Sequence, residues 1–165
     1  MEIVRHTLEP VYDAHSRILL LGSIPSPKSR ETGFYYGHPR NRFWPVLEAV
    51  LHEKIPFSPD GKRELLLRRG IALWDVLQSC EIKGAEDGSI RQPEPNNLSR
   101  ILEQAAIRAI FTTGTKAAAL YRRLCFPQTG REAIPLPSTS PANCACSFEE
   151  LCRRYRVLLP YLEGR

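Results

Sequence analysis

Ile18-Leu19-Leu20-Leu21 is an unbroken apolar run closed by Gly22. Four apolar residues with no polar alternation suit a strand covered on both faces, as in a parallel sheet. A segment dense in Ser, Pro, Gly, Tyr and His follows, and from Asn41 to Leu51 the apolar residues Phe43, Val46, Leu47 and Val50 recur at helical spacing. Pro45 is compatible with that helix because the first turn has no intrahelical use for its backbone N–H. In an open α/β sheet, a long loop between a strand and a helix lies beyond the strand's carboxyl end, where ligands bind.

The same alternation recurs. Ile71–Trp74, Ala109–Thr112 and Ile134–Leu136 read as further short strands. Helices are expected over Gly61–Arg69, stopped by Gly70, and over Leu98, Ile101, Leu102 and Ala105 behind a cap at Asn96 or Asn97. Gly114 turns the chain into a helix over Lys116–Leu124, with a loop over Pro127–Glu132. Ser147 with Glu150 forms a capping box for a helix carrying Leu151, Tyr155 and Leu158, which Pro160 ends or kinks. Cys80–Asn96, with Gly84, Gly88, Pro93 and Pro95, is expected to be a long functional loop. Met1–Ser16 is expected to be an N-terminal extension on the surface. This order predicts an α/β fold, a parallel sheet with helices on both faces, in one domain spanning 1–165.

The net charge of +5 is compatible with a polyanionic partner, but the basic residues are scattered and only folding could gather them on one face. No apolar stretch suits a signal core or a membrane span, so the expected compartment is the cytoplasm. Five cysteines, an odd number, argue against a complete disulfide framework and for buried thiols. His6, His15, His38 and His52 show no metal-ligand spacing.

Three stretches carry a family resemblance: Gly22-Ser23-Ile24-Pro25-Ser26, then Phe34-Tyr35-Tyr36 and His38-Pro39-Arg40-Asn41 with Phe43-Trp44, and late in the chain Leu136-Pro137-Ser138-Thr139-Ser140-Pro141-Ala142. In them the sequence resembles the uracil-DNA glycosylase superfamily, near its mismatch-specific branch and nearest its hypoxanthine-DNA glycosylase branch. The resemblance implies a three-layer α/β/α sandwich around a four-stranded parallel sheet. It also implies a monomeric, monofunctional hydrolase without cofactor. That hydrolase would flip a deaminated base, hypoxanthine first and uracil second, out of double- or single-stranded DNA and cut its N-glycosidic bond. Some members hold an iron–sulfur cluster on four cysteines, but the spacing of Cys80, Cys125, Cys144, Cys146 and Cys152 resembles no such framework.

Cutting that bond builds positive charge on the sugar and negative charge on the base, and a water must reach C1′. Gly22, Ser23, Ile24, Pro25 and Ser26 are expected to line the pocket. In mismatch-specific relatives an Asn in the opening turn positions the water. Ile24 occupies that slot and cannot, a departure shared with the hypoxanthine branch, where the Asn of His-Pro-Arg-Asn carries the catalytic role. Asn41 is the matching residue; read from position alone it is a helix cap. Tyr36 and Phe43 are expected to pack on the base, although either could be core. His38 is a base or phosphate contact, or else a solvated turn residue. Asp75, at the end of the second strand, is a substrate contact that could serve as a base for water or could cap the next turn.

Ser138, Thr139, Ser140, Pro141, Ala142 and Asn143, with Lys28 and Arg40, are the expected DNA contacts, although the loop could be only a polar turn rich in Pro and Ser; the resemblance implies that it enters the minor groove and helps fill the gap left by the flipped base. Gly114-Thr115-Lys116 is a weaker phosphate candidate. Ile24 also leaves open a binding module of the same fold without the chemistry, and hydrolysis of free nucleosides is a third reading. Lys28 and Lys116 have no evident route to a Schiff base, so no strand cleavage is expected.

Overall fold

Strand β2 (Ile18–Gly22) is buried at every position and pairs in parallel with β3 (Ile71–Asp75) on one side and β6 (Ala109–Thr113) on the other. The computed structural model describes residues 1–164. β7 (Ala133–Leu136) adds to β6, completing a four-stranded parallel sheet in the order β3-β2-β6-β7. Helices flank it: α1 (Pro27–Thr32), α2 (Phe43–Leu51), α3 (Pro59–Arg69), α4 (Ser99–Leu102), α5 (Thr115–Leu120), α6 (Phe126–Thr129), α7 (Phe148–Tyr155) and α8 (Leu159–Leu162). The strands that read as uninterrupted apolar runs are those whose two faces are both covered.

Local chemistry sets most helix ends. Ser58 and Ser147 accept hydrogen bonds from Gly61 N–H and Glu150 N–H, opening α3 and α7. Gly70 closes α3 at φ 79°, a conformation that disfavours any side chain. Glu150 turns outward to Arg153 rather than completing the box at Ser147. The helix expected over Lys116–Leu124 is α5 continued by a π-helical turn, Tyr121–Cys125, into α6, so Pro127 lies within a helix. The helix behind Asn97 is only α4; Asn97 Oδ1 accepts from Ser99 N–H, while Asn96 is buried and donates to the Asp75 and Leu77 carbonyls.

The two largest departures concern the segment before β2 and the segment after β3. Cys80–Asn96 is not a loop but most of a hairpin, β4 (Leu77–Lys83) with β5 (Glu86–Pro95). Its outer strand is polar because one face meets water, and Pro93 and Pro95 are tolerated because β5 is an edge. Nor is 1–16 a surface extension. β1 (Glu2–Arg5) pairs antiparallel with β4, and Val11 exchanges two 2.9 Å hydrogen bonds with Leu73. Val4 and Val11 are buried, as is the His6 side chain. These segments give little local signal because their partners lie some seventy positions away in the chain, in β3 and β4.

All five thiols are free; Cys80, Cys125 and Cys152 are buried, Cys146 is half-buried and Cys144 is exposed. The expectation of buried cysteines therefore fails at Cys144.

Candidate active site

The carboxyl ends of the four parallel strands share one cavity of about 480 Å³. Gly22 comes from the end of β2, Asp75 from β3, Thr113 from β6 and Ser138 from just beyond β7. Chain order places β2 between β3 and β6, so the connections leave in opposite directions at this edge, which opens a crevice there. Cavities of roughly 300–1,000 Å³ suit small-molecule recognition, and this one lies within that range.

The two motif loops meet at Asn41. Its Oδ1 accepts from Phe43 N–H at 2.9 Å and from the Thr139 hydroxyl at 2.8 Å. The backbone donor at Phe43 identifies the oxygen end of the amide, so the Nδ2 donors are the end left for the cavity. Asn41 thus satisfies the entrance to α2 without giving up its polar group to it. Arg42 staples the same loops from behind: its backbone N–H donates to the Thr139 carbonyl at 3.0 Å, and its guanidinium donates to the Cys146 and Asn143 carbonyls at 2.6 and 2.8 Å. Nothing in the sequence pattern singled out Arg42.

Gly22, Ser23, Ile24, Pro25 and Ser26 all line the cavity, as do Tyr36, His38, Arg40, Asp75 and Ser138 through Ala142. His38 Nδ1 accepts from Arg40 N–H at 3.0 Å, which fixes the turn and leaves the ring against the cavity. Tyr36 holds φ 53°, a left-handed conformation unusual for an aromatic residue, and its hydroxyl pairs with the Thr113 hydroxyl at 3.1 Å. Burial, helped by the nearby Asp75 charge, pushes the Tyr36 phenol well above its usual range, so it stays protonated.

Three expected residues do not line the cavity. Phe43 is 1% exposed and covered by the Tyr36 ring, stacked at 3.9 Å between centroids with the planes 10° apart. Its helical face is the core face, and Tyr36 takes the position facing the cavity. Lys28 lies on α1, pointed at Glu31. Asn143 closes its own loop by donating from Nδ2 to the Ser138 carbonyl at 2.9 Å. The hairpin, expected to be functional as a loop, supplies lining residues for which the sequence suggested no individual role: Ile82, Gly84, Ala85 and Asp87, the last accepting from the Ser23 hydroxyl at 3.0 Å.

Asp75 does not cap the turn after β3. Its Oδ2 accepts from His6 Nε2 at 2.8 Å, and that is the side chain's hydrogen bond. The turn is held by the backbone instead, Val76 and Leu77 N–H donating to the Gly22 and Ser23 carbonyls.

The family model described as the Uracil DNA glycosylase superfamily matches residues 9–159. The chain belongs to the uracil DNA glycosylase superfamily. Two hypoxanthine DNA glycosylases are similar to it. The one from Methanosarcina barkeri is 33% identical over 135 residues, covering 81% of this chain and 85% of its own length. The one from Methanosarcina acetivorans is 33% identical over 143 residues, covering 86% and 89%. The solution NMR structure of a candidate uracil DNA glycosylase, also from M. acetivorans, superposes with a TM-score of 0.78 at 31% identity, covering 96% of this chain and 99% of that one. Membership of the uracil DNA glycosylase superfamily places this chain among the DNA glycosylases. The four-stranded sheet and the joined motif loops agree with it.

The positive charge is only partly free for a polyanionic partner. Several arginines serve internal carbonyls, as Arg17 does at Leu162, Arg108 at Tyr161 and Arg131 at Ile107, whereas Arg40 stands exposed at the cavity rim.

Proposed function

We propose that this protein hydrolyses the N-glycosidic bond of a deaminated base in DNA, with hypoxanthine as the first substrate and uracil the second, after flipping the nucleotide into the cavity. The observation that carries the reading is the orientation of Asn41: with Oδ1 held by Phe43 N–H and Thr139, its amide N–H bonds are free to donate into the cavity. As the bond to the sugar stretches, negative charge develops on the base, and a fixed neutral donor stabilises it without a change of protonation. One such donor contributes about 10²–10³-fold in rate.

Gly22 through Ser26 bring backbone close to the base, and Tyr36, backed by Phe43, offers its ring face for stacking. Ser138 through Ala142, with Arg40, lie at the mouth where the strand's phosphates would run. Among the described residues no lysine lines the cavity, which supports hydrolysis without a Schiff base and so without strand cleavage. The names of the two Methanosarcina relatives support hypoxanthine over uracil as first choice.

The test is base release from duplexes and single strands carrying deoxyinosine, deoxyuridine or deoxyxanthosine. Wild type releases hypoxanthine fastest and Asn41→Ala is crippled. Equal release by both from every substrate removes the role given to Asn41. Ile24, 9% exposed in the cavity wall, favours a second reading, a binding module without chemistry. Such a protein would retard labelled duplex on a gel and leave no alkali-labile site.

A further inference from the structure

We infer that Asp75 is the base that accepts the proton of the attacking water, and that His6, carried in by the N-terminal strand, is the positioning residue that aims it. This rests on the glycosylase reading and supplies the acceptor which that reading otherwise lacks. Water attacking C1′ must lose a proton to something. Ile24 is aliphatic, and Asn41 has both hydrogen bonds of its oxygen committed, so its free end can only donate.

Asp75 meets the requirement. Its side chain is 6% exposed and that of His6 is 2% exposed, so the carboxylate relies on the imidazole for a donor. His6 Nε2 donates to Oδ2 at 2.8 Å, which leaves Oδ1 as the free acceptor. Oδ1 lies beside Gly22, where an added Cβ would come within 2.6 Å of it; the missing side chain keeps that oxygen open to the cavity. Tyr35 and Tyr36 from the motif loop and Asp87 from the hairpin are the other titratable groups that face Asp75. Burial keeps both phenols protonated; Asp87 sits on the hairpin, holding the Ser23 hydroxyl through Oδ1, whereas Asp75 Oδ1 lies at the strand ends beside Gly22. His6 itself is anchored through its backbone N–H to the Gln78 carbonyl at 2.6 Å, and it precedes the span 9–159 that the family model matches.

In the step, the water's proton passes to Asp75 Oδ1 as its oxygen bonds to C1′. The C1′–N bond breaks and its electron pair leaves with the base, towards the Asn41 amide. The proton on Asp75 then returns to the departed base or to solvent, leaving free base and an abasic sugar.

The experiment is single-turnover release of hypoxanthine from a deoxyinosine duplex by wild type, Asp75→Asn, His6→Gln and His6→Phe. Binding to a duplex carrying non-cleavable 2′-fluoro-deoxyinosine is measured alongside. Asp75→Asn is expected to lose about 10²–10⁴-fold in rate while binding stays within about three-fold. His6→Gln, which keeps a donor, holds most of the rate. His6→Phe, which keeps the ring shape but removes the donor, slows release while duplex binding stays within about three-fold, because the carboxylate is no longer aimed. The inference is overturned if Asp75→Asn cleaves at the wild-type rate, if its binding falls in step with its rate, or if His6→Phe and His6→Gln release base equally fast. Should Asp75→Asn not melt cooperatively, the two His6 variants decide. A wild type that releases no base from any damaged duplex defeats the glycosylase reading and this inference together; an active wild type matched by Asp75→Asn defeats only the latter.

Discussion

The Thr139 hydroxyl donates to Asn41 Oδ1 at 2.8 Å across a sequence separation of 98 residues. Thr139 is 2% exposed, so water cannot substitute for it easily. The bond selects which end of the Asn41 amide faces the cavity, and the second motif loop thereby sets the chemistry of the first.

Thr139→Val keeps the shape and removes that donor. The loss of one buried hydrogen bond, about 0.5–1.5 kcal/mol, should appear mainly in catalysis as a fall of up to about ten-fold in single-turnover rate. Base release and a thermal melt measured together check this; an unchanged rate with a lowered melting temperature would mean that Thr139 only stabilises the loop.

The Arg42 guanidinium links its loop to three backbone carbonyls, those of Ser140, Asn143 and Cys146. Hydrogen bonds to a charged group are worth about 1.5–3 kcal/mol each when partly buried, so Arg42→Ala should loosen the 138–146 loop and weaken DNA binding. Arg42→Lys should rescue little, because an ammonium lacks the fork that reaches separate carbonyls. Hydrogen exchange of the loop and a DNA titration are the readouts.

Phe43 belongs to the core, so Phe43→Ala should cost about 3–5 kcal/mol of stability. Phe43→Leu should fold and retain base release, since Tyr36 rather than Phe43 faces the cavity. Urea unfolding and base release separate the two effects; a well-folded Phe43→Leu without activity would restore Phe43 as a stacking residue.

The thiols should react in an order set by exposure. Cys144 is exposed and should be modified first by a thiol reagent in the native protein, with Cys146 slower. Burial pushes the Cys125 thiol up to about 11, so it holds almost no thiolate at neutral pH and should react only on unfolding. Timed labelling with mass mapping checks the order.

Much of the sheet was legible in the sequence because its signals are local. β2, β3 and β6 are covered on both faces and so read as apolar runs; Gly70 and Gly114 mark turns through positive φ, and Ser147 opens α7 through its hydroxyl. The Gly22–Ser26 turn and the Ser138–Ala142 loop, singled out through the family resemblance, line one cavity because both follow the carboxyl ends of parallel strands. The hairpin was not legible, since a half-solvated edge pair resembles a polar loop when its partner strand is unknown.

The sequence by itself determined which strands would be buried and which loops would converge at their ends, since apolar runs and turn residues act over a few neighbours. Only the tertiary structure decided that Phe43 faces inward behind Tyr36, that Arg42 ties the loops, and that His6 reaches Asp75. Each of those depends on the direction of a side chain across the fold, between residues that periodicity does not relate.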